Sequence, residues 1–226
     1  MWLDLVAAVV PIVLAAGATK ATDDNTFLAL GDSYTIGEGV AVAERWPTQL
    51  AGLLHALGSA LDTPEIVART GWTTDELAAA MDAHTFKPPY ALVTLLIGVN
   101  NQYRGRDLEN YRVEFRRLLE RAIALASDRP QRVIVVSIPD WGVTRFGHAS
   151  GRDVTQIARA IDAYNAANAQ IAKMLQVRYV DVTAVSRDGG SSTGALVADG
   201  LHPSAAMYRR WAELMLPAAQ NALSSP

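Results

Sequence analysis

Residues 27–39 read FLALGDSYTIGEG: the apolar run Phe27–Leu30 breaks at Gly31 into the small, polar, glycine-rich stretch Gly31–Gly39. An apolar run of this length reads as a buried strand. A turn of this kind can hold a phosphate, expose a nucleophile or merely reverse the chain, and the rest of the sequence has to choose among these.

Outward from this strand, strand-like and helix-like segments alternate. Glu65–Arg69, Ala91–Ile97, Arg132–Ile138 and Arg178–Val182 read as further strands. Two of them, ALVTLLI and RVIVVSI, are apolar almost throughout, as strands covered on both faces are. Helical patterns lie between them, over about Ala43–Leu57, Thr74–Ala83, Asp107–Ala126, Asp153–Leu175 and Ser204–Leu223. The last is expected to break near Pro217, and Ser186–Gly194 (SRDGGSSTG) reads as loop. The alternation predicts an α/β fold, a five-stranded parallel sheet in flavodoxin-like order with right-handed crossovers and helices on both faces.

Composition narrows the classes. The chain has 226 residues, half of them hydrophobic, with a net charge of −3. That excludes a disordered chain and gives no electrostatic reason for a nucleic-acid partner or an anionic membrane surface. There are no cysteines, hence no disulfide, thiolate metal site or cysteine nucleophile. Leu5–Ala18, LVAAVVPIVLAAGA, ends in small residues like a signal-peptide core and its cleavage site, although Met1–Asp4 lacks a basic residue. Residues 1–25 are therefore set apart from a single domain over 26–226. If they are an export signal the protein is periplasmic or secreted; otherwise it is cytoplasmic. The run is short for a membrane span, and no stable membrane anchor is expected.

In open α/β sheets the ligand lies beyond the carboxyl ends of the strands. The segments due there are Gly31-Asp32-Ser33, Thr70-Gly71-Trp72, Gly98-Val99-Asn100-Asn101, Pro139-Asp140-Trp141 and Asp199-Gly200-Leu201-His202-Pro203. This inventory suits acyl transfer. A serine hydroxyl needs a base, and His202 is one. Asp199, three residues earlier, can accept a hydrogen bond from the far imidazole nitrogen and fix its tautomer. The backbone amides of Ser33 and Gly71 and the side chain of Asn100 can donate to an oxyanion. Taken singly, each element has an ordinary reading as turn, loop or helix start. It is their order along the chain, each after a strand, that carries the chemical reading.

These segments resemble the sequence blocks of the SGNH (GDSL-type) hydrolase family: Gly31-Asp32-Ser33, then Gly71, then Gly98-Val99-Asn100, then Asp199-x-x-His202, over roughly residues 27–210. The resemblance implies a three-layer α/β/α sandwich and a serine esterase without metal or cofactor. Ser33, Asp199 and His202 would be catalytic, and Ser33, Gly71 and Asn100 would form the oxyanion hole. Such families act on small-molecule esters, with lysophospholipase, thioesterase and carbohydrate-deacetylase branches. Short-chain acyl esters are the expected substrates. The third block commonly continues into Asp, where this chain has Asn101, which can support the loop by hydrogen bonding.

Other residues stay open between two readings. Asp32, Asn101, Asp140, Trp141 and Phe146 are candidate substrate contacts, with Asp140 equally a cap and Trp141 equally a lid over the core. Trp46 is core or pocket wall, and Arg69 is expected to pair with a carboxylate. His148 can reach the entrance, while His55 and His84 lack partners at metal-ligand spacing. Gly190–Gly194 matches the G-x-S-x-G nucleophile elbow, which would make Ser192 the nucleophile, but no strand leads into it. A rival from another class is a flavodoxin-like module whose first loop cradles a flavin or phosphate. Asp32 and Glu38 would then put negative charge against the phosphate, and such a module has no need of Asn100 or His202.

Overall fold

A computed structural model describes residues 25–189, 192 and 194–224. The N-terminal apolar segment, apart from Asn25, lies outside the described residues. Five strands, β1 (Phe27–Gly31), β2 (Glu65–Ala68), β3 (Leu92–Leu96), β4 (Val133–Val136) and β5 (Arg178–Val180), form one sheet in the order β2-β1-β3-β4-β5. Every pairing is parallel, as expected from the alternating pattern. The flavodoxin-like order follows because the chain moves outward from β1 to one edge, then returns across it to build the other side. β1, β3 and β4 are buried at every position, which is why their sequences show no period of two.

The long helices are α2 (Trp46–Ala56), α3 (Thr74–Ala83), α5 (Leu108–Leu125), α7 (Val154–Met174) and α9 (Ala205–Ser224). α2 and α9 pack on each other, with α9 lying across β3, β4 and β5; α3, α5 and α7 pack in series along the sheet. The two groups make the outer layers of an α/β/α sandwich. Trp46, Trp211, Leu50, Leu54 and Met215 are all buried, so Trp46 belongs to the core.

Among the described residues, three shorter helices begin just after strands, α1 (Ser33–Ile36), α4 (Val99–Tyr103) and α8 (Thr183–Gly189), and a fourth, α6 (Arg145–Ala149), lies in the segment between β4 and α7. α8 overturns the loop expected from Ser186. Thr183 N–H donates to Asp181 Oδ1 at 2.7 Å, and the Arg187 guanidinium is held by Asp140 (2.9 Å) and Asp162 (2.7 Å). Tertiary ion pairs hold as a helix a segment whose composition favours a turn. α9 likewise runs through Pro217 unbroken. Pro217 and Glu213, whose carbonyl loses its helical donor, are both exposed, where a lost backbone bond costs less than in the core. Buried Trp211 and Met215 before the proline, and Ala219 and Ala222 after it, anchor both halves.

Candidate active site

The carboxyl ends of β1–β4 and the loop before α9 surround one cavity of about 200 Å³. Each wall is set by local chemistry. Asp32 caps α1: its Oδ1 accepts from Tyr34 N–H at 3.0 Å, which leaves Ser33 as the first helical residue. Backbone amides in a first helical turn have no intrahelical acceptor, so the Ser33 N–H is free to serve a ligand. Ser33 is 5% exposed and lines the cavity.

Gly71 follows β2 with φ of +87°, a conformation that L side chains rarely adopt. Its carbonyl accepts from Arg104 Nη2 at 2.6 Å, and Arg104 Nη1 lies 3.3 Å from Glu76 Oε1. The loop that carries Gly71 is thereby tied to the end of α4. After β3, Gly98 (φ +128°) packs so closely on Tyr111 that an added Cβ would lie 2.4 Å from the phenol oxygen. This tight turn starts α4 and brings Asn100 to the cavity. One N–H of the Asn100 amide donates to Trp72 O at 3.0 Å, leaving the second for a ligand.

The last wall is a hairpin-like loop. Val197 N–H donates to His202 O at 2.9 Å and Ser204 N–H to Ala195 O at 2.9 Å, with Gly200 at φ +72° near the tip. Phe146 N–H docks the loop through Gly200 O at 3.0 Å. Within it His202 Nδ1 lies 2.6 Å from Asp199 Oδ2, while Asp199 Oδ1 accepts from the backbone amides of Leu201 (2.7 Å) and His202 (3.0 Å). Burial pushes the Asp199 carboxyl up, but hydrogen bonds from the His202 ring and those two amides outweigh it and hold it below the usual carboxylate range. Asp199 therefore stays ionised beside the imidazole. His202 is 7% exposed, lines the same cavity as Ser33, and has the Tyr34 ring 5.6 Å away.

Of the residues singled out from the sequence, Ser33, Gly71, Asn100, Trp141, Phe146 and His202 line the cavity, and Asp199 backs His202. Three expected substrate contacts point elsewhere. Asp32 is fully buried as the cap of α1. Asn101, also fully buried, accepts from Thr74 N–H at 3.1 Å and donates to Thr74 Oγ1 at 2.6 Å, tying α4 to the start of α3. Asp140 is 1% exposed, caps the turn at Gly142 (2.8 Å) and pairs with Arg187. Trp141 serves both readings: its Nε1–H donates to Gln102 at 2.8 Å, and its ring packs on Tyr103 (5.3 Å) and Phe146 (6.0 Å) at the cavity edge.

Tyr34, Thr70, Val99, Tyr103 and Leu201 complete the lining. Tyr103 had a legible signal, since it lies three residues after Asn100 and so on the same helical face. His148 is exposed on α6 and does not line the cavity, and Arg69 is exposed with no ion pair among the described residues. Ser192, the alternative nucleophile, donates to Gly189 O at 2.8 Å, follows a helix rather than a strand, and is not part of the cavity.

Comparison with known proteins places this arrangement. TesA shares the fold with a TM-score of 0.69 at 21% identity, covering 88% of this chain and 99% of that one. The psychrotrophic esterase EstA from Pseudoalteromonas aligns with a TM-score of 0.67 at 18% identity, over 89% and 100% of the two chains. An acetyl-xylooligosaccharide esterase from Geobacillus, solved as a tryptophan mutant, aligns with a TM-score of 0.63 at 22% identity, over 89% and 95%. A comparison with curated proteins finds no match. The model of the GDSL-like lipase/acylhydrolase family matches residues 29–210, from the first strand to the helix after His202. The chain belongs to this family and is a carboxylic ester hydrolase.

Proposed function

We propose that the protein is a serine esterase in which Ser33 is the nucleophile and His202, oriented by Asp199, is the base. The observation that carries this reading is the hydrogen-bonded Asp199–His202 pair on the rim of the cavity that Ser33, Gly71 and Asn100 also line. Ser33 Oγ attacks the ester carbonyl while His202 takes its proton. The Ser33 and Gly71 amides and the Asn100 side chain receive the oxyanion. His202 then protonates the leaving alcohol and activates the water that releases the acyl group. The ionised Asp199 holds the imidazole through Nδ1 and stabilises the imidazolium as it forms.

The cavity favours short acyl groups. Its volume of about 200 Å³ lies below the roughly 300–1,000 Å³ of pockets that take drug-sized ligands. Its walls of Val99, Tyr103, Trp141, Phe146 and Leu201 suit an apolar chain. The test is hydrolysis of p-nitrophenyl esters from acetate upward by wild type, Ser33→Ala, His202→Ala and Ser192→Ala. Activity on acetate to butyrate that disappears in the first two variants and survives in the third supports the assignment. Loss in Ser192→Ala with retention in Ser33→Ala transfers the nucleophile to the glycine-serine loop and rejects it.

A further inference from the structure

Two arginines lie against residues that form the cavity wall and the His202 loop. Arg145 and Arg152 flank α6, which carries the cavity residue Phe146, and neither makes an ion pair among the described residues. They are nonetheless held in place. The Arg152 guanidinium lies 4.3 Å from the Tyr103 ring centroid and 5.7 Å from that of Trp141, and its Nη1 donates to Tyr103 O at 2.9 Å. Both rings belong to the cavity wall. Arg145 Nη2 donates to Val197 O at 3.3 Å, and its side chain packs on Gly200, in the loop that presents His202.

A guanidinium carries five N–H donors, and each of these hydrogen bonds uses one, so most of each fork remains for a ligand. Held side chains lose less freedom on binding than mobile ones. Neither Asp199, which is bonded to His202, nor Asp153, which caps α7, forms an ion pair with either guanidinium.

We propose that Arg145 and Arg152 form an anion-binding rim, and that the ester hydrolysed here carries a carboxylate or phosphate on its alcohol portion. The proposal rests on the esterase reading above. The charge is assigned to the alcohol because an ionised group inside small apolar walls would lose its hydration without a partner. At the rim it keeps water on one side and meets the two guanidinium groups on the other. Arg145, against the His202 loop, stands on the side from which the leaving oxygen is protonated.

The test uses the full chain and matched acetyl esters: 4-acetoxybenzoate and 4-acetoxyphenyl phosphate as the anionic substrates, with neutral 4-acetoxybenzamide as reference. The quantity read is the ratio of kcat/KM for each anionic ester to that for the neutral one, within each protein. In the Arg145→Gln/Arg152→Gln variant the ratio is expected to fall roughly fivefold or more, the scale of exposed ion pairing, chiefly through KM. Because the ratio is internal, loss of folded material leaves it unchanged. Raising NaCl to 0.5 M should depress the wild-type ratio similarly, about the effect of shortening the screening length, and this decides the matter should the variant fail to fold. A fall confined to the carboxylate or to the phosphate ester supports the rim and names its ligand. A ratio that is the same in wild type and variant, or insensitive to salt, overturns it. Ser33→Ala is assayed alongside: wild-type hydrolysis of all three esters by that variant would reject Ser33 as the nucleophile, separately from the rim.

Discussion

Replacing Asp32 by Asn should make the protein more stable, and increasingly so as pH rises. Asp32 is fully buried; its Oδ1 caps α1 and its Oδ2 has no hydrogen-bond partner among the described residues. Burial pushes its carboxyl from 3.8 up to about 7, against hydrogen bonds from the Tyr34 and Asp32 amides that act the other way. The folded chain thus keeps a proton that the unfolded chain releases. Unfolding loses protons across this window, so stability falls as pH climbs from about 4 and levels off above about 7. A rise from 3.8 to about 7 corresponds to about 4 kcal/mol at the plateau, of which about 3 accrues between pH 5 and 8. Asn keeps the capping acceptor and the volume and cannot ionise. Urea unfolding of wild type and Asp32→Asn, followed by tryptophan fluorescence at pH 5, 6, 7 and 8.5, measures the difference directly. The gap between the two should widen in favour of the variant by up to about 3 kcal/mol over this range. A gap that does not change with pH would refute the reasoning, because every other titrating group is common to both proteins.

Three further outcomes follow from the site. Asp199→Asn should lower kcat by roughly 10⁴, with the fold retained, because the imidazole loses the charged partner that sets its tautomer; steady-state kinetics with circular dichroism checks both halves. Asn100→Ala should cost on the order of 10²–10³ in kcat with little change in KM, as loss of one oxyanion donor does. Arg104→Met should lower kcat about tenfold, again with KM nearly unchanged, because the loop that carries Gly71 then loses its tether to the end of α4 and its donor is held less well in line. Arg104→Lys should recover part of this loss, whereas an unaltered kcat in Arg104→Met would show that Gly71 needs no such tether.

How far the sequence could be read depended on element length. β3 and β4 are continuous apolar runs, and α5 and α7 are long enough for their period to show, so the alternation and hence the sheet order were legible. The helices α1, α4, α6 and α8 were not, since four to seven residues hold too little period to recognise. Two of their starts, those of α1 and α6, are set by capping contacts, Asp32 Oδ1 to Tyr34 N–H and Thr144 Oγ1 to Gly147 N–H. The same ambiguity left Asp140 open between cap and substrate contact, and made candidate contacts of Asp32 and of Asn101, which was also expected to support its loop. A polar side chain at a strand end looks alike whether it turns toward a ligand or back to cap the next helix. Here all three cap or brace, and Arg187, distant in sequence, settles the case of Asp140. The blocks around Ser33, Gly71, Asn100 and His202 were readable because the order of their residues along the chain carries the information. The aromatic wall was readable only in part, because Tyr103 joins Trp141 and Phe146 through the fold.

The account depends most directly on which serine reacts. Treating the full chain with a fluorophosphonate probe, digesting it and mapping the adduct by mass spectrometry answers this without knowledge of the natural substrate. The expected result is a single adduct on Ser33 that is lost in His202→Ala. An adduct on Ser192, or labelling of Ser33 that persists undiminished without His202, would contradict it.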